Sequence, residues 1–293
     1  MSIIEGIKNK YADYRLAKVN ALENSVREKE GCLTASLASP EKLMPDKLKI
    51  TLKTLPKQLS IAKNMELTVK SLRDNPENPK IEAENDFIIK FENYAESIGI
   101  DNIGYVKVPS DMIFKDKAIL YENAIVLIME MDKEAIDAVP SETTQEMGII
   151  TYDELGKKTN SLAEFLRENG FGAHASHPAG GIVMYPHLAQ MASLGHRGRH
   201  GMLLTPEFGP RQRISVIFTS IQNFPVKKSN EHLWIPDFCA KCGKCIRTCP
   251  GNAIIEKNGK TKIIKDSCHG CTICMRDCNF NRTGYAKIKN RHN

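Results

Sequence analysis

Eight of the nine cysteines of this 293-residue chain lie between residues 239 and 278, in two runs of identical spacing. The first run is Cys239-Ala-Lys-Cys242-Gly-Lys-Cys245-Ile-Arg-Thr-Cys249-Pro250, and the second is Cys268-His-Gly-Cys271-Thr-Ile-Cys274-Met-Arg-Asp-Cys278. Two, two and three residues separate successive cysteines in each. Disulfides are rare in a reducing compartment, so a cluster this dense argues for metal. Thiolates at this spacing wrap one face of a cubane while the fourth cysteine reaches a second cluster. The pattern predicts two [4Fe–4S] clusters with crossed ligands: Cys239, Cys242, Cys245 and Cys278 on one, and Cys268, Cys271, Cys274 and Cys249 on the other. Zinc also accepts four thiolates, but its sites usually present two separated pairs. Cys278 is followed by Asn279 rather than proline, which alters the turn and leaves the ligand count intact. Cys32 stands apart and is expected to be dispensable.

Two clusters form a relay for single electrons, and a relay needs something to reduce. The rest of the chain bounds what that is. No run approaches ~18 apolar residues, so no membrane-spanning helix is expected. The start, Met-Ser-Ile-Ile-Glu-Gly, lacks a charged region ahead of an apolar one, which predicts a cytoplasmic protein. A net charge of +6 and a short basic tail from Lys287 argue for a solvated end rather than a nucleic-acid partner. The positive surface suits an acidic, low-potential ferredoxin or flavodoxin as electron donor.

Periodicity divides the chain into three stretches. Residues 1–80 read as a helical extension: Ile4, Ile7, Tyr11, Tyr14, Leu22 and Val26 recur at three- and four-residue steps, and a second helix is expected from about Pro56 to Arg73. This stretch carries no chemical signature and reads as a packing or homodimerisation arm. Asn75–Lys80, with two prolines, reads as a linker. Residues 81–230 alternate helix and strand: a helix ending near Gly99, strands at Ile103–Val108, Ala124–Met129 and Arg213–Thr219, and a helix from Tyr152 to Asn169. This is a mixed α/β layer structure. Residues 231–293 hold the cysteine module.

The stretch Gly172–Gly209 is too irregular to be simple core. Gly195, Gly198 and Gly201 punctuate Gly195-His-Arg-Gly-Arg-His-Gly201, where missing side chains let backbone amides approach a bulky ligand. Arg197 and Arg199 can donate to amides, a phosphate or an anionic substrate. Five histidines occur within residues 174–200, without the spacing of a mononuclear metal site. Thr205-Pro-Glu-Phe-Gly209 reads as a turn ahead of the strand from Arg213.

Tyr121–Ile136 with the following Pro140-Ser141, and Leu188–Arg213, resemble the corresponding strands and loops of reductive dehalogenases, and epoxyqueuosine reductases look similar over the same span. The resemblance covers about residues 86–280. It implies a nitroreductase-like α/β domain that binds cobalamin base-off beside a ferredoxin-like module, with a small-molecule substrate above the cobalt. FMN is the alternative, since nitroreductase-like domains also hold flavin. Gly195, His196, Arg197, Gly198, Arg199, Thr205 and Gly209 are the residues expected at the cofactor. His196 stands where an acid is common, and no Asp-x-His-x-x-Gly arrangement supplies an axial histidine, because Ala175 precedes His177 by two. Tyr152 is the first expected proton donor, by analogy with these enzymes, and Asp153 the second. The reaction implied is reductive cleavage or reduction of a small substrate. A protein that only reactivates the corrinoid of a partner is the competing reading.

Overall fold

The computed structural model describes residues 33–34, 53–257 and 260–292. The stripe expected over Ile4–Val26, and Cys32, lie outside them. The first described elements are strand β1 (Leu33–Thr34) and helix α1 (Leu55–Lys70). Pro56 occupies the first turn of α1, where its missing N–H forfeits no helical bond. The expected linker is stitched to the rest of the fold. Asn75 Oδ1 accepts from Ala173 N at 2.8 Å, and Lys80 N donates to Gly170 O at 2.9 Å. Backbone groups left over at the sheet end hold this stretch in place.

Helix α2 (Asn85–Ser97) is followed by strands β2 (Asn102–Lys107), β3 (Ala118–Ile119) and β4 (Asn123–Glu130). A short α3 (Lys133–Asp137) leads to the long α4 (Glu142–Glu168), which starts where the Ser141 hydroxyl accepts from Thr144 N at 3.2 Å. Tyr152 is therefore well inside this helix, not at its head. The polar first turns, Glu142-Thr-Thr-Gln-Glu146, carry no apolar stripe and hid its beginning. Then come β5 (Ala173–Ser176), α5 (Tyr185–Met191), the paired short strands β6 (His196–Arg197) and β7 (Leu203–Leu204), and β8 (Gln212–Thr219).

Four strands form one antiparallel sheet in the order β2-β4-β8-β5. One row across it is Tyr105, Ile125, Ile217 and Ala175. Side chains alternate between faces, so Ile125, Leu127 and Met129 pack with Phe91 of α2 and Leu155, Leu162 and Leu166 of α4. Ala124, Val126 and Ile128 face the other way, against Leu188 and Ala189 of α5 with Ile113 and Leu203. Burial on both faces explains why β4 reads as an unbroken apolar run.

The cysteine module comprises α6 (Ile235–Cys242), α7 (Lys244–Arg247), the hairpin β9 (Ile254–Lys257) and β10 (Lys260–Ile263), α8 (Ile273–Arg276), α9 (Asn279–Arg282) and α10 (Tyr285–His292). It is packed onto the α/β layer. Leu204 sits in one buried cluster with Ile235, Phe280, Tyr285 and Ile288, and Arg276 Nη1 donates to Val139 O at 2.7 Å. No described helix is long and apolar enough to cross a membrane.

Candidate metal centre and cofactor cleft

The two cysteine runs fold alike. A left-handed residue follows the second cysteine of each: Gly243 at φ +53° and Thr272 at φ +57°. A four-residue helix then carries the third cysteine, Cys245 in α7 and Cys274 in α8. The reversal turns successive sulfurs inward, and glycine suits it better than threonine does.

Cys239, Cys242, Cys245 and Cys278 line one small cavity of about 20 Å³, with Phe238, Phe280 and His200 also on its wall. Burial, and to a lesser extent neighbouring thiols, pushes Cys239 up to about 11 and Cys278 to about 12. Cys239 and Cys245 are among the neighbours felt by Cys278. Cys274 is likewise pushed to about 12 by burial, then by Cys245, Cys271, Cys268 and Cys249. Buried thiols grouped this way surrender their protons when a cation compensates them, which is the chemistry of a metal centre. Two amides already face sulfur: Asn279 Nδ2 lies 3.3 Å from Cys242 Sγ, and Ala253 N lies 3.3 Å from Cys249 Sγ. Among the described residues no three His, Cys, Asp or Glu side chains are gathered around a single ion position. A cubane asks for something else: four thiolates spread around it, each on its own iron.

Beside this cavity opens a cleft of about 1050 Å³. Phe114, Val183, Met184 and Tyr185 give it an apolar lining, and His196, Arg197, Gly198 and Arg199 line it too. Cys239 and Cys268, one from each run, also line it. Such a volume, largely apolar with a few convergent polar groups, suits a large organic cofactor. The β6–β7 hairpin holds the polar side in place. Gly195 fits only without a side chain, since a Cβ there would lie 2.2 Å from Leu204 O. Arg199 pairs with Glu256 at 2.7 Å. His187 is lowered to about 4 by burial first and then by the Arg197 charge, and His196 is lowered by burial, with the same charge contributing. Both imidazoles are neutral at neutral pH. Sequence reasoning missed Tyr185 and the apolar wall, because nothing in Pro178–Pro186 distinguishes a lining loop from an ordinary one. His187 was visible only as part of a histidine-rich stretch.

The remaining expected residues lie elsewhere. Thr205 and Gly209 form the expected turn, with paired bonds Thr205 N to Gly209 O at 2.9 Å and Gly209 N to Thr205 O at 3.0 Å. Neither lines the cleft. Thr205 is fully buried, and a Cβ on Gly209 would lie 2.8 Å from Phe280 O, so this turn forms the joint with the cysteine module. Tyr152 and Asp153 also lie outside the cleft lining. The Tyr152 hydroxyl accepts from Arg213 Nη1 at 2.8 Å, and the guanidinium stands 3.9 Å over the ring. Asp153 is buried between Lys157 at 2.7 Å and Lys57 at 3.3 Å. Burial pushes its carboxyl up, but bonds from Lys157, Ser60 and Lys57 outweigh that and leave it below the usual range. An ionised Asp153 has no proton to give at neutral pH.

Residues 232–255 match the family model of a 4Fe-4S binding domain. Over 160 residues the chain is 32% identical to a tetrachloroethene reductive dehalogenase of Desulfitobacterium hafniense, covering 53% of this chain and 27% of that one. Over 198 residues it is 23% identical to an epoxyqueuosine reductase of Bacillus subtilis, covering 55% and 50%. A solved reductive dehalogenase, described with a mechanism for B12-dependent dehalogenation, superposes with a TM-score of 0.61 at 19% identity, over 82% of this chain and 38% of that one. The chain thus spans about a quarter of the dehalogenase and half of the epoxyqueuosine reductase. By sequence and fold it is a relative of the reductive dehalogenases and epoxyqueuosine reductases, with a 4Fe-4S binding segment on its α6–β9 stretch.

Proposed function

We propose that this protein is a cytoplasmic oxidoreductase that passes single electrons through two [4Fe–4S] clusters to a corrinoid held in the cleft, for reductive cleavage or reduction of a small substrate. The observation that carries the reading is the cleft itself: one cavity is bordered by Cys239, by Cys268 and by the His196–Arg199 loop. One cluster takes Cys239, Cys242, Cys245 and Cys278, the set that shares a cavity. The other takes Cys249, Cys268, Cys271 and Cys274. A corrinoid would supply the carbon–heteroatom chemistry that thiolate-bound iron lacks. Arg197 and Arg199 would hold its polar substituents, and Phe114, Val183 and Tyr185 its apolar surface.

By analogy with the resembling enzymes, and although neither residue lines the cleft, Tyr152 with Arg213 is kept as the proton-donating unit of this reading. The guanidinium already bonds the hydroxyl oxygen and would stabilise the negative charge left on it after transfer. Lys241, Lys244 and Arg247 lie close to Cys242 in sequence and offer an acidic electron carrier its landing place. Kinship with an epoxyqueuosine reductase weighs against setting nucleic acid aside, so a nucleic-acid substrate belongs beside small halogenated compounds in any substrate screen.

Anaerobically purified protein tests the cofactor content. About eight iron and eight sulfide per chain are expected from eight thiolates filling two cubanes. Zinc as the main metal, or half that iron, refutes the assignment. The visible spectrum separates corrinoid from FMN, and a spectrum of clusters alone favours a pure electron-transfer protein.

A further inference from the structure

We propose that the cleft contains an oxyanion subsite at Arg197, which receives the carboxylate or phosphate of an organic ligand with an apolar body. This rests on the cleft being the ligand site and adds the class of group it recognises. Four cations line the cleft, Arg197, Arg199, Lys262 and Lys265, and no aspartate or glutamate does. Arg199 is already paired with Glu256. Arg197 is different. Its backbone N and Nε share one acceptor, Gln190 Oε1, at 3.1 and 3.3 Å, and no carboxylate among the described residues meets its guanidinium.

A half-buried guanidinium without a counter-ion is a costly arrangement unless a ligand completes it. The surroundings suit that purpose. His187 and His196 both feel the Arg197 charge and stay neutral, so neither competes with Arg197 as the cation that meets an incoming anion. His187 also lines the cleft, and its Nδ1 is a buried polar atom without a hydrogen-bond partner. The same cleft is lined by Phe114, Val183, Met184 and Tyr185. Arginine presents two parallel N–H groups, which match the paired oxygens of a carboxylate or phosphate. The oxyanion could belong to a free substrate or to the corrinoid's own nucleotide phosphate, and the two are separable.

The test is calorimetric binding to full-length, cluster-loaded protein. The probes are benzoate, inorganic phosphate, neutral benzyl alcohol, cobalamin and cobinamide, which lacks the nucleotide phosphate. Losing a hydrogen bond to a charged group should weaken an anionic probe by about tenfold or more. Arg197→Gln should therefore weaken benzoate and phosphate while sparing benzyl alcohol if the source is a free anion. It should weaken cobalamin while sparing cobinamide if the source is the corrinoid. His196→Glu, which sets a carboxylate beside an intact Arg197, should reproduce the same loss, and unchanged iron content would show that both variants fold. Wild-type protein that does not distinguish benzoate from benzyl alcohol or cobalamin from cobinamide overturns the proposal, as does an Arg197→Gln variant that binds every probe normally. Wild-type protein that binds benzoate through Arg197 but no corrinoid upholds the subsite and overturns the corrinoid reading instead.

Discussion

Asn279 donates its side-chain amide to Cys242 Sγ across 3.3 Å, joining two positions 37 residues apart on the wall of one cavity. Asn279 stands immediately after Cys278, where a proline would offer no donor. A donor on a ligating sulfur favours the more negative, reduced form of a cluster and so raises its potential. Asn279→Ala should lower the ratio of reduced to oxidised cluster at fixed potential by up to roughly tenfold, which is about 59 mV for one electron. A redox titration followed by electron paramagnetic resonance measures this. An unchanged potential would mean that the contact does not tune the centre.

Gly195 is a packing requirement of the cleft. A methyl group there would press on the Leu204 carbonyl, a backbone atom that cannot swing aside. Gly195→Ala should destabilise the fold by about 1–3 kcal/mol, as overpacking does. The urea midpoint should fall accordingly; a midpoint equal to wild type would show that the hairpin can move.

Much of this arrangement can be read in the sequence wherever a local signal is strong. The strand expected at Ile103–Val108 is Asn102–Lys107, and that at Ala124–Met129 is Asn123–Glu130, because β-branched runs bounded by polar residues have one way to pack. The Thr205–Gly209 turn follows from Pro206 and a glycine at φ +57°. What stayed hidden depended on distant partners. Asn75–Lys80 has the composition of a linker, yet the Asn75 side chain and the Lys80 backbone bond to Ala173 and Gly170, far along the chain. The Thr205–Gly209 turn lies outside the cleft lining, with Gly209 against Phe280 of the cysteine module. Only the tertiary fold reveals that Pro178–Pro186 lines the same cleft as Arg197.

Acid should destabilise this protein through His177. Burial lowers its imidazole to about 3, against partial support from Asp153. In the unfolded chain it titrates near 6.5. Between those values the unfolded state binds a proton that the folded state does not, so stability falls as pH drops below about 6.5. This one group contributes about 1.4 kcal/mol per pH unit across that window. Urea melts between pH 7 and 4.5 should show the loss, and His177→Gln should flatten it. An equally steep loss in the variant would place the sensitivity on other groups.

Tyr152→Phe keeps the ring under Arg213 and removes the hydroxyl. Turnover should fall about 10²–10⁴-fold, the usual effect of deleting a general acid. Iron content, cobalamin affinity and electron uptake from a ferredoxin should be unchanged. Full turnover would remove Tyr152 from the reaction.

The corrinoid in the cleft is the central claim, and an anaerobic titration of the cluster-loaded protein with cobalamin tests it most directly. The account predicts saturation at one cobalamin per chain with a base-off spectrum, followed by reduction of the bound cobalt when the clusters are reduced. Protein with intact clusters that retains FMN and leaves cobalamin free in solution would contradict it.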